Sequence, residues 1–318
     1  MARVTQKSLE VLSVLDNARL DKVVMTLMEC SRAEARRLIG AGRVQVGSRV
    51  CKIIAKRLKE GTKVSLVGES SPSEVKDAGT PALEIVHIDS HIVVVNKPSA
   101  LLSERDRHGG PSVESILPSL IPKDAKGPRP DELWLCHRLD ATTSGILLLA
   151  RKPSANRKLQ VAFRERKVEK TYIAWVSGRL DKARWVDAPI DRVKGTKHGV
   201  AESGKPSRTH IEPLWVSDEV SLVCARPKTG RTHQIRVHLA HLGCPILGDR
   251  LYGGAMYLPG PRTPVRRALL HALALSVLHP QSGKITEYRV APPSDFRDVS
   301  QALSLNFDWE ALGRGKEE

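Results

Sequence analysis

Residues 83–96 read LEIVHIDSHIVVVN, two runs rich in β-branched residues, 83–88 and 91–96, separated by Asp89-Ser90. Two such runs about a short polar turn predict a β-hairpin. An apolar run ending near Cys136 is followed by the polar stretch HRLDATTSG and then by ILLLA, 146–150, which reads as a strand buried on both faces. Pro153 opens a helix-like stretch that continues through Phe163. KTYIAWVSG predicts a further strand, and RTHIEPLWVSDEVSLVCARP a strand pair. Beyond GRTHQIRVHLAHLGCP, the three- and four-residue spacing of Ile235, Leu239 and Leu242 fits a helix, and HALALSVLHP and KITEYRV supply more strands. Strands without regular helical crossovers point to an α+β fold with a mixed, mostly antiparallel sheet and flanking helices, not to a doubly wound one.

The pattern breaks at 69–82, ESSPSEVKDAGTPA, which is rich in Ser, Pro, Gly and charge and reads as a linker. The expected organisation is an N-terminal α+β domain at 1–68, the linker at 69–82, the larger domain at 83–301 and a C-terminal tail at 302–318. In the first of these, SRAEARRLIGAGRVQVGSRV carries an S-x-x-E capping box, Ser31 and Glu34, with Gly40 and Gly42 as the helix stop. Ala35, Leu38 and Ile39 share one helical face, with Arg36 and Arg37 off it. Val44 and Val46, then Gly47 and Val50, suggest a short hairpin.

Charge changes the picture. The chain has 51 Lys+Arg against 35 Asp+Glu, a formal net charge of +16. Residues 1–68 hold 14 basic and 6 acidic side chains, half of that excess in about a fifth of the length. A basic run is most often only a solvated face. Here Arg32, Arg36 and Arg37 cluster beside one helix and continue into Arg43, Arg49 and Lys52, which favours contact with the phosphates of a nucleic acid. The five cysteines are scattered and form no CxxC pair, which argues for a reducing compartment. No run approaches the ~20 apolar residues of a membrane span. The chain reads as soluble and cytoplasmic, with a monomer as the default.

Several chemistries are disfavoured by motif. His233, His238, His241 and His271 show neither HExxH nor zinc-finger spacing, so no metal is expected. Ser144 is not in GxSxG and Cys136 lacks a recognisable signature. Neither GxxxxGK[ST] nor GxGxxG follows a strand, and no cofactor is expected. Carboxylate chemistry remains. Taken alone, Asp140 at the head of D-A-T-T-S-G reads as the acceptor of an Asx-turn, Tyr172 as core, and Arg231 as surface.

Taken together they suggest more. HRLDATTSGILLLAR, KTYIAWVSG and KTGRTHQIRVHLAHLGCPILGDRLYGG, in this order, resemble the RluA-type pseudouridine synthases that act on large-subunit ribosomal RNA, over residues 83–300. RLDKVV, SRAEARRLIGAGRVQVGSRV and GTKVSLVG resemble the RNA-binding domain of small-subunit ribosomal protein four. The resemblance implies a pseudouridine synthase fold and cofactor-free isomerisation of uridine in structured RNA. It implies that Asp140 is the catalytic aspartate, that Tyr172 packs against the target base, and that Arg231 pairs with the Asp140 carboxylate. It also implies that Arg138 helps hold the flipped nucleotide and that Ile235 lines the pocket. Asp140 could attack the anomeric carbon or remove the neighbouring sugar proton. Two departures stand out: Ala141-Thr142 where the family has an acid two residues after the catalytic one, and an unusual loop at 99–110. The rival readings are a non-catalytic ribosome-assembly factor and a synthase acting on transfer RNA.

Overall fold

The run at 146–150 shows no polar alternation because both faces of its strand are covered. Leu147 and Leu149 face one apolar cluster, together with Val93 and Val95; Ile146, Leu148 and Ala150 face another, together with Ile92 and Val94. A strand with two dry faces needs apolar residues at every position. The computed structural model describes residues 8–10, 15–40, 42–47, 49–51, 53–66, 83–105, 110–122, 125, 127, 133–260 and 263–309. The expected linker, 69–82, lies outside the described residues, as do Lys52 and the side chain of Arg49.

The chain divides into two units, Met1–Ala78 and Gly79–Glu318. In the first, β1 (Ser8–Glu10) and β2 (Ala18–Arg19) precede α1 (Leu20–Leu27) and α2 (Arg32–Gly40). Then come β3 (Val44–Val46), β4 (Arg49–Val50), β5 (Arg57–Leu58) and β6 (Lys63–Leu66). An antiparallel sheet in the order β1-β6-β3-β4 and a β2-β5 pair pack with the helices around Leu20, Val23, Val24, Ile39, Val44 and Val64. The hairpin expected at 44–50 is the β3–β4 pair. Half of the capping box is present: Glu34 N–H donates to Ser31 Oγ (3.1 Å), while the Glu34 carboxylate turns to Arg37. Gly42, at φ 71°, supplies the left-handed residue that stops α2.

In the second unit, β7 (Glu84–Ile88) and β8 (Ile92–Lys97) form the expected hairpin. Its turn is held by Asp89 Oδ1, which accepts from the N–H groups of His91 (2.6 Å) and Ile92 (2.9 Å). The chain continues through α3 (Val113–Leu120), β9 (Trp134–Leu135), β10 (Ser144–Ala150), α4 (Pro153–Arg164) and β11 (Glu169–Ser177). Next are β12 (Arg184–Asp187), β13 (Ile190–Lys194), β14 (Lys197–Val200), β15 (Arg208–Val216), β16 (Val220–Pro227) and α5 (Gln234–His241). β17 (Leu270–Leu278), β18 (Ile285–Arg289) and α6 (Ser294–Ala302) complete the unit.

One sheet of ten strands runs β12-β15-β16-β11-β17-β10-β8-β7, with β18 beside β17 and β9 beside β10. β10 and β17 pair in parallel, through Ser144↔His271 and Gly145↔Ala272, and the other pairs in this sheet are antiparallel. This is the mixed, mostly antiparallel sheet with flanking helices that the strand pattern predicts. The pattern did not reveal α3. Its cap is Ser112, whose hydroxyl accepts from Ser115 N–H while Ser115 Oγ accepts from Ser112 N–H, so a serine stands where a capping box usually has Glu or Gln, and Pro118 further masks the helix. α4 places Ala155 and Leu159 on one face of the sheet, and α3, α5 and α6 place Leu117, Leu239 and Phe296 on the other. Among the described residues no helix is long and apolar enough to cross a membrane. All five cysteines are free and four are buried.

Candidate active site

CHRLDATT, residues 136–143, is the loop between β9 and β10, and its backbone is held from outside. Leu139 N–H and C=O both bond Ser103 Oγ (3.0 and 2.9 Å). The Ala141 carbonyl accepts from Ala100 N–H (2.7 Å) and Lys97 Nζ (3.4 Å), and the Thr142 carbonyl accepts from Arg267 (3.0 Å). The turn closes through the main chain, Thr143 N–H to Asp140 O (3.0 Å). The carboxylate is thus spared for the cavity beside it. Thr142 stands where the family usually has an acid, two residues after Asp140, and its buried hydroxyl has no partner among the described residues.

That cavity has a volume of about 530 Å³, within the usual range for a small-ligand site. β11 supplies one wall, Tyr172, which is buried. Burial and the nearby Asp140 charge push its phenol up, so it stays protonated at neutral pH. Ile235, also buried, lines the same space. The α5 helix brings Arg236, whose Nη1 donates to Asp140 Oδ2 (3.1 Å), while its Nε and Nη2 fork onto Asp249 at 2.6 and 2.9 Å. The Tyr252 ring lies 5.0 Å from the Arg236 guanidinium carbon. Burial disfavours the charge on Arg236, but the bonds and charges of Asp249 and Asp140 outweigh it and raise its pKa.

His233 is the N-cap of α5 and sits at φ 56°, a left-handed conformation that a non-glycine residue holds only under tertiary constraint. Tyr252 Oη accepts from His198 N–H (3.1 Å), leaving its proton for His233 Nδ1 at 2.9 Å. That bond puts the imidazole proton on Nε2, 3.8 Å from Asp140 Oδ2. Burial lowers the pKa of His233 against the opposing pull of Asp140, so the ring is neutral.

A family model described as RNA pseudouridylate synthase matches residues 91–241, and one described as S4 domain matches 18–64. Over 308 residues the chain is 32% identical to ribosomal large subunit pseudouridine synthase D of Haemophilus influenzae, spanning 91% of this chain and 92% of that protein. The chain belongs to the RNA pseudouridylate synthase family. It is also 39% identical over 222 residues to the dual-specificity RNA pseudouridine synthase RluA of Escherichia coli, covering 68% of this chain and 95% of that one. Among solved structures, human RNA pseudouridylate synthase domain containing 4 superimposes with a TM-score of 0.57 at 27% identity, covering 70% of this chain and 94% of that one. The activity that comes with this family is isomerisation of uridine to pseudouridine in RNA, and the N-terminal unit of this synthase carries the S4 domain that binds it.

Placed on this structure, the residues singled out in the synthase motifs separate. Asp140, Tyr172, Arg138, Ile235 and Arg231 all line the one cavity. The pairing expected between Arg231 and Asp140 is made instead by Arg236. Arg231 precedes the helix, its Nε donates to the Pro206 carbonyl (3.2 Å) and its N–H to Gln234 Oε1 (3.0 Å), so its guanidinium sits at the rim. Arg236, inside the helix, is the cation that α5 turns onto the loop that carries Asp140. Arg138 is exposed and pairs with Glu104, which belongs to the unusual 99–110 loop; residues 106–109 of that loop are outside the described residues. Sequence reasoning missed Arg236, Asp249, His233 and Tyr252; the available signal was a second arginine and an acid in GRTHQIRVH…GDRLY.

In the S4 domain, Arg32 and Arg36 donate from Nε to Oδ2 of the buried Asp21 (3.3 and 3.2 Å), and Arg19 donates to Oδ1 (3.1 Å). Burial would raise the Asp21 carboxyl, but the bonds from Arg19 and Arg36 and the charge of Arg19 hold it below its usual range. Arg37 pairs with Glu34 on the exposed face, and Arg43 is half-buried in the turn before β3.

Proposed function

We propose that this synthase isomerises specific uridines of large-subunit ribosomal RNA in the cytoplasm, with Asp140 as the catalytic carboxylate, Tyr172 as the wall against the target base and Arg236 as the cation that positions Asp140. The observation that carries the reading is the Asp140–Arg236 ion pair inside a cavity of about 530 Å³ walled by Tyr172. Both the Arg236 bond and the His233 approach fall on Oδ2, which leaves Oδ1 for the substrate. Isomerisation breaks the bond between ribose C1′ and uracil N1, turns the base and joins C1′ to C5; the C5 proton is lost and N1 gains one, so nothing is added overall. Asp140 acts on the ribose, as nucleophile at C1′ or as base at the neighbouring carbon. The apolar wall of Tyr172, Ile235 and Leu270 shields the separated sugar and base from water. A stacked uridine cannot reach this site, so the nucleotide must be flipped out, at a cost of roughly a few kcal/mol. The S4 arginines Arg32, Arg36, Arg37 and Arg43, with Arg49 and Lys52, help offset that cost through phosphate contacts that carry no sequence information. Free, mostly buried cysteines fit a reducing cytoplasm.

The test is Asp140→Asn. The variant should bind RNA as wild type does and release no tritium from RNA labelled at uridine C5, and sustained release would refute the assignment. Carbodiimide mapping in a strain lacking the protein should show pseudouridines missing from large-subunit ribosomal RNA. Losses confined to transfer RNA would overturn the substrate assignment.

A further inference from the structure

Asp140 occupies only part of the cavity. Beside apolar residues such as Phe163 and Val168, cations line the rest: Lys170 on β11, Arg164 and Arg166 at the end of α4, and Lys228 and Arg231 before α5. Asp140 is the one carboxylate among the described lining residues, and Arg236 already holds it. Of the two acids next to this rim, Glu165 is paired with Lys167 (2.7 Å), and Glu169, one residue before Lys170 on β11, does not line the cavity. Lys170 is the central group. It is half-buried, its Nζ donates to the Thr229 carbonyl (3.1 Å), and no acid among the described residues is paired with it. Burial, then the charge of Lys228, lowers its pKa to about 8. A desolvated ammonium facing other cations is costly unless an anion arrives to share the site.

We propose that Lys170, with the Lys228, Arg164 and Arg166 side chains around it, forms a binding site for the RNA phosphodiester adjacent to the isomerised nucleotide. The placement follows from strand geometry. Lys170 and Tyr172 are two residues apart on β11 and both face the cavity, about 6.6 Å along the strand. That spacing matches the reach from a nucleobase to its neighbouring backbone phosphate. The extra residue that interrupts pairing here, Leu273, is on β17, so the alternation of β11 is kept. Gly230 keeps the opposite wall low: a Cβ there would lie 3.9 Å from Lys170 Nζ, in the space a phosphate oxygen needs. The site sets the register of the RNA so that the base against Tyr172 is also the one whose ribose meets Asp140. This inference rests on the proposed reaction for the RNA it names, not for the anion site itself.

The experiment measures binding of uridine and of the dinucleotide UpU by NMR titration to wild type, Lys170→Met, Lys170→Gln and Lys170→Arg. Wild type should bind UpU about tenfold or more tighter than uridine. Lys170→Met and Lys170→Gln should lose that gain while keeping uridine affinity, and Lys170→Arg should restore most of it. No gain in wild type, or a gain that survives both neutral substitutions, overturns the site. With ribosomal RNA from the deletion strain, Lys170→Met should raise KM about tenfold with kcat near wild type; an unchanged KM also overturns it. If wild type turns over no ribosomal RNA, the substrate reading fails while the UpU comparison still decides the phosphate site.

Discussion

Arg236→Lys and Arg231→Ala, compared side by side, test which arginine serves the Asp140 carboxylate. Arg236 uses three nitrogens: Nε and Nη2 on Asp249 at 2.6 and 2.9 Å, and Nη1 on Asp140 at 3.1 Å. A lysine keeps the charge but not the planar fork, so one ammonium cannot hold both carboxylates in this geometry. A hydrogen bond to a charged group contributes about 1.5–3 kcal/mol. If the Asp140 contact is lost where the reaction needs it, kcat should fall roughly 10- to 150-fold. Asp249, 2% exposed, also loses its bidentate partner, which adds a stability cost of a few kcal/mol at most. Far-ultraviolet circular dichroism at the assay temperature separates that cost from the kinetic effect. Among the described residues Arg231 bonds Pro206 and Gln234 and not Asp140, so Arg231→Ala should raise KM and leave kcat within about threefold, less than ~0.7 kcal/mol of barrier. Tritium release at saturating RNA measures both. An Arg231→Ala kcat far below that of a folded Arg236→Lys variant would refute the assignment.

Two further outcomes concern the scaffold. His271 is fully buried, accepting from Ser144 Oγ at Nδ1 (3.0 Å) and donating from Nε2 to the Val290 carbonyl (3.2 Å), and burial lowers its pKa to about 4. The unfolded chain binds a proton here below about pH 6.5 and the folded chain only near 4, so this contribution to stability is intact above 6.5 and is lost as the pH falls between the two. The loss from pH 7 to pH 5 should be about 2 kcal/mol. His271→Asn should flatten the dependence of urea midpoints on pH by that amount, and an unchanged slope would refute the reasoning. Gly145, at φ 112°, lies in the parallel junction of β10 and β17, where a Cβ would fall 2.2 Å from the Ala272 carbonyl oxygen. Gly145→Ala should cost more than about 3 kcal/mol and lower the melting temperature by roughly 6–12 °C, whereas a shift of less than about 2 °C would contradict the close approach.

By itself the sequence determined the elements whose signal is local and periodic. The hairpin at 83–96, the doubly buried strand at 146–150, the α4 stretch after Pro153 and the β15–β16 pair were legible because spacing and turn chemistry act between near neighbours. Asp140 was legible as a carboxylate at a polar turn, and as a candidate for catalysis only through the order of three distant motifs. α3 was not, because a serine capping box and an interior proline hide a helix that exists for the core it covers. The tertiary structure alone decided the choice between two arginines five residues apart. α5 is buried on nearly every side, so its polar residues are assigned by partners that arrive from elsewhere: Gln234 by Thr209 and Thr229, His238 by Thr209, Arg236 by Asp140 and Asp249. Those partners lie 5 to 96 residues away along the chain, and no periodicity records them. The same holds for Lys170, an ordinary strand lysine in the sequence, which only the folded cavity sets among cations with no acid paired to it among the described residues.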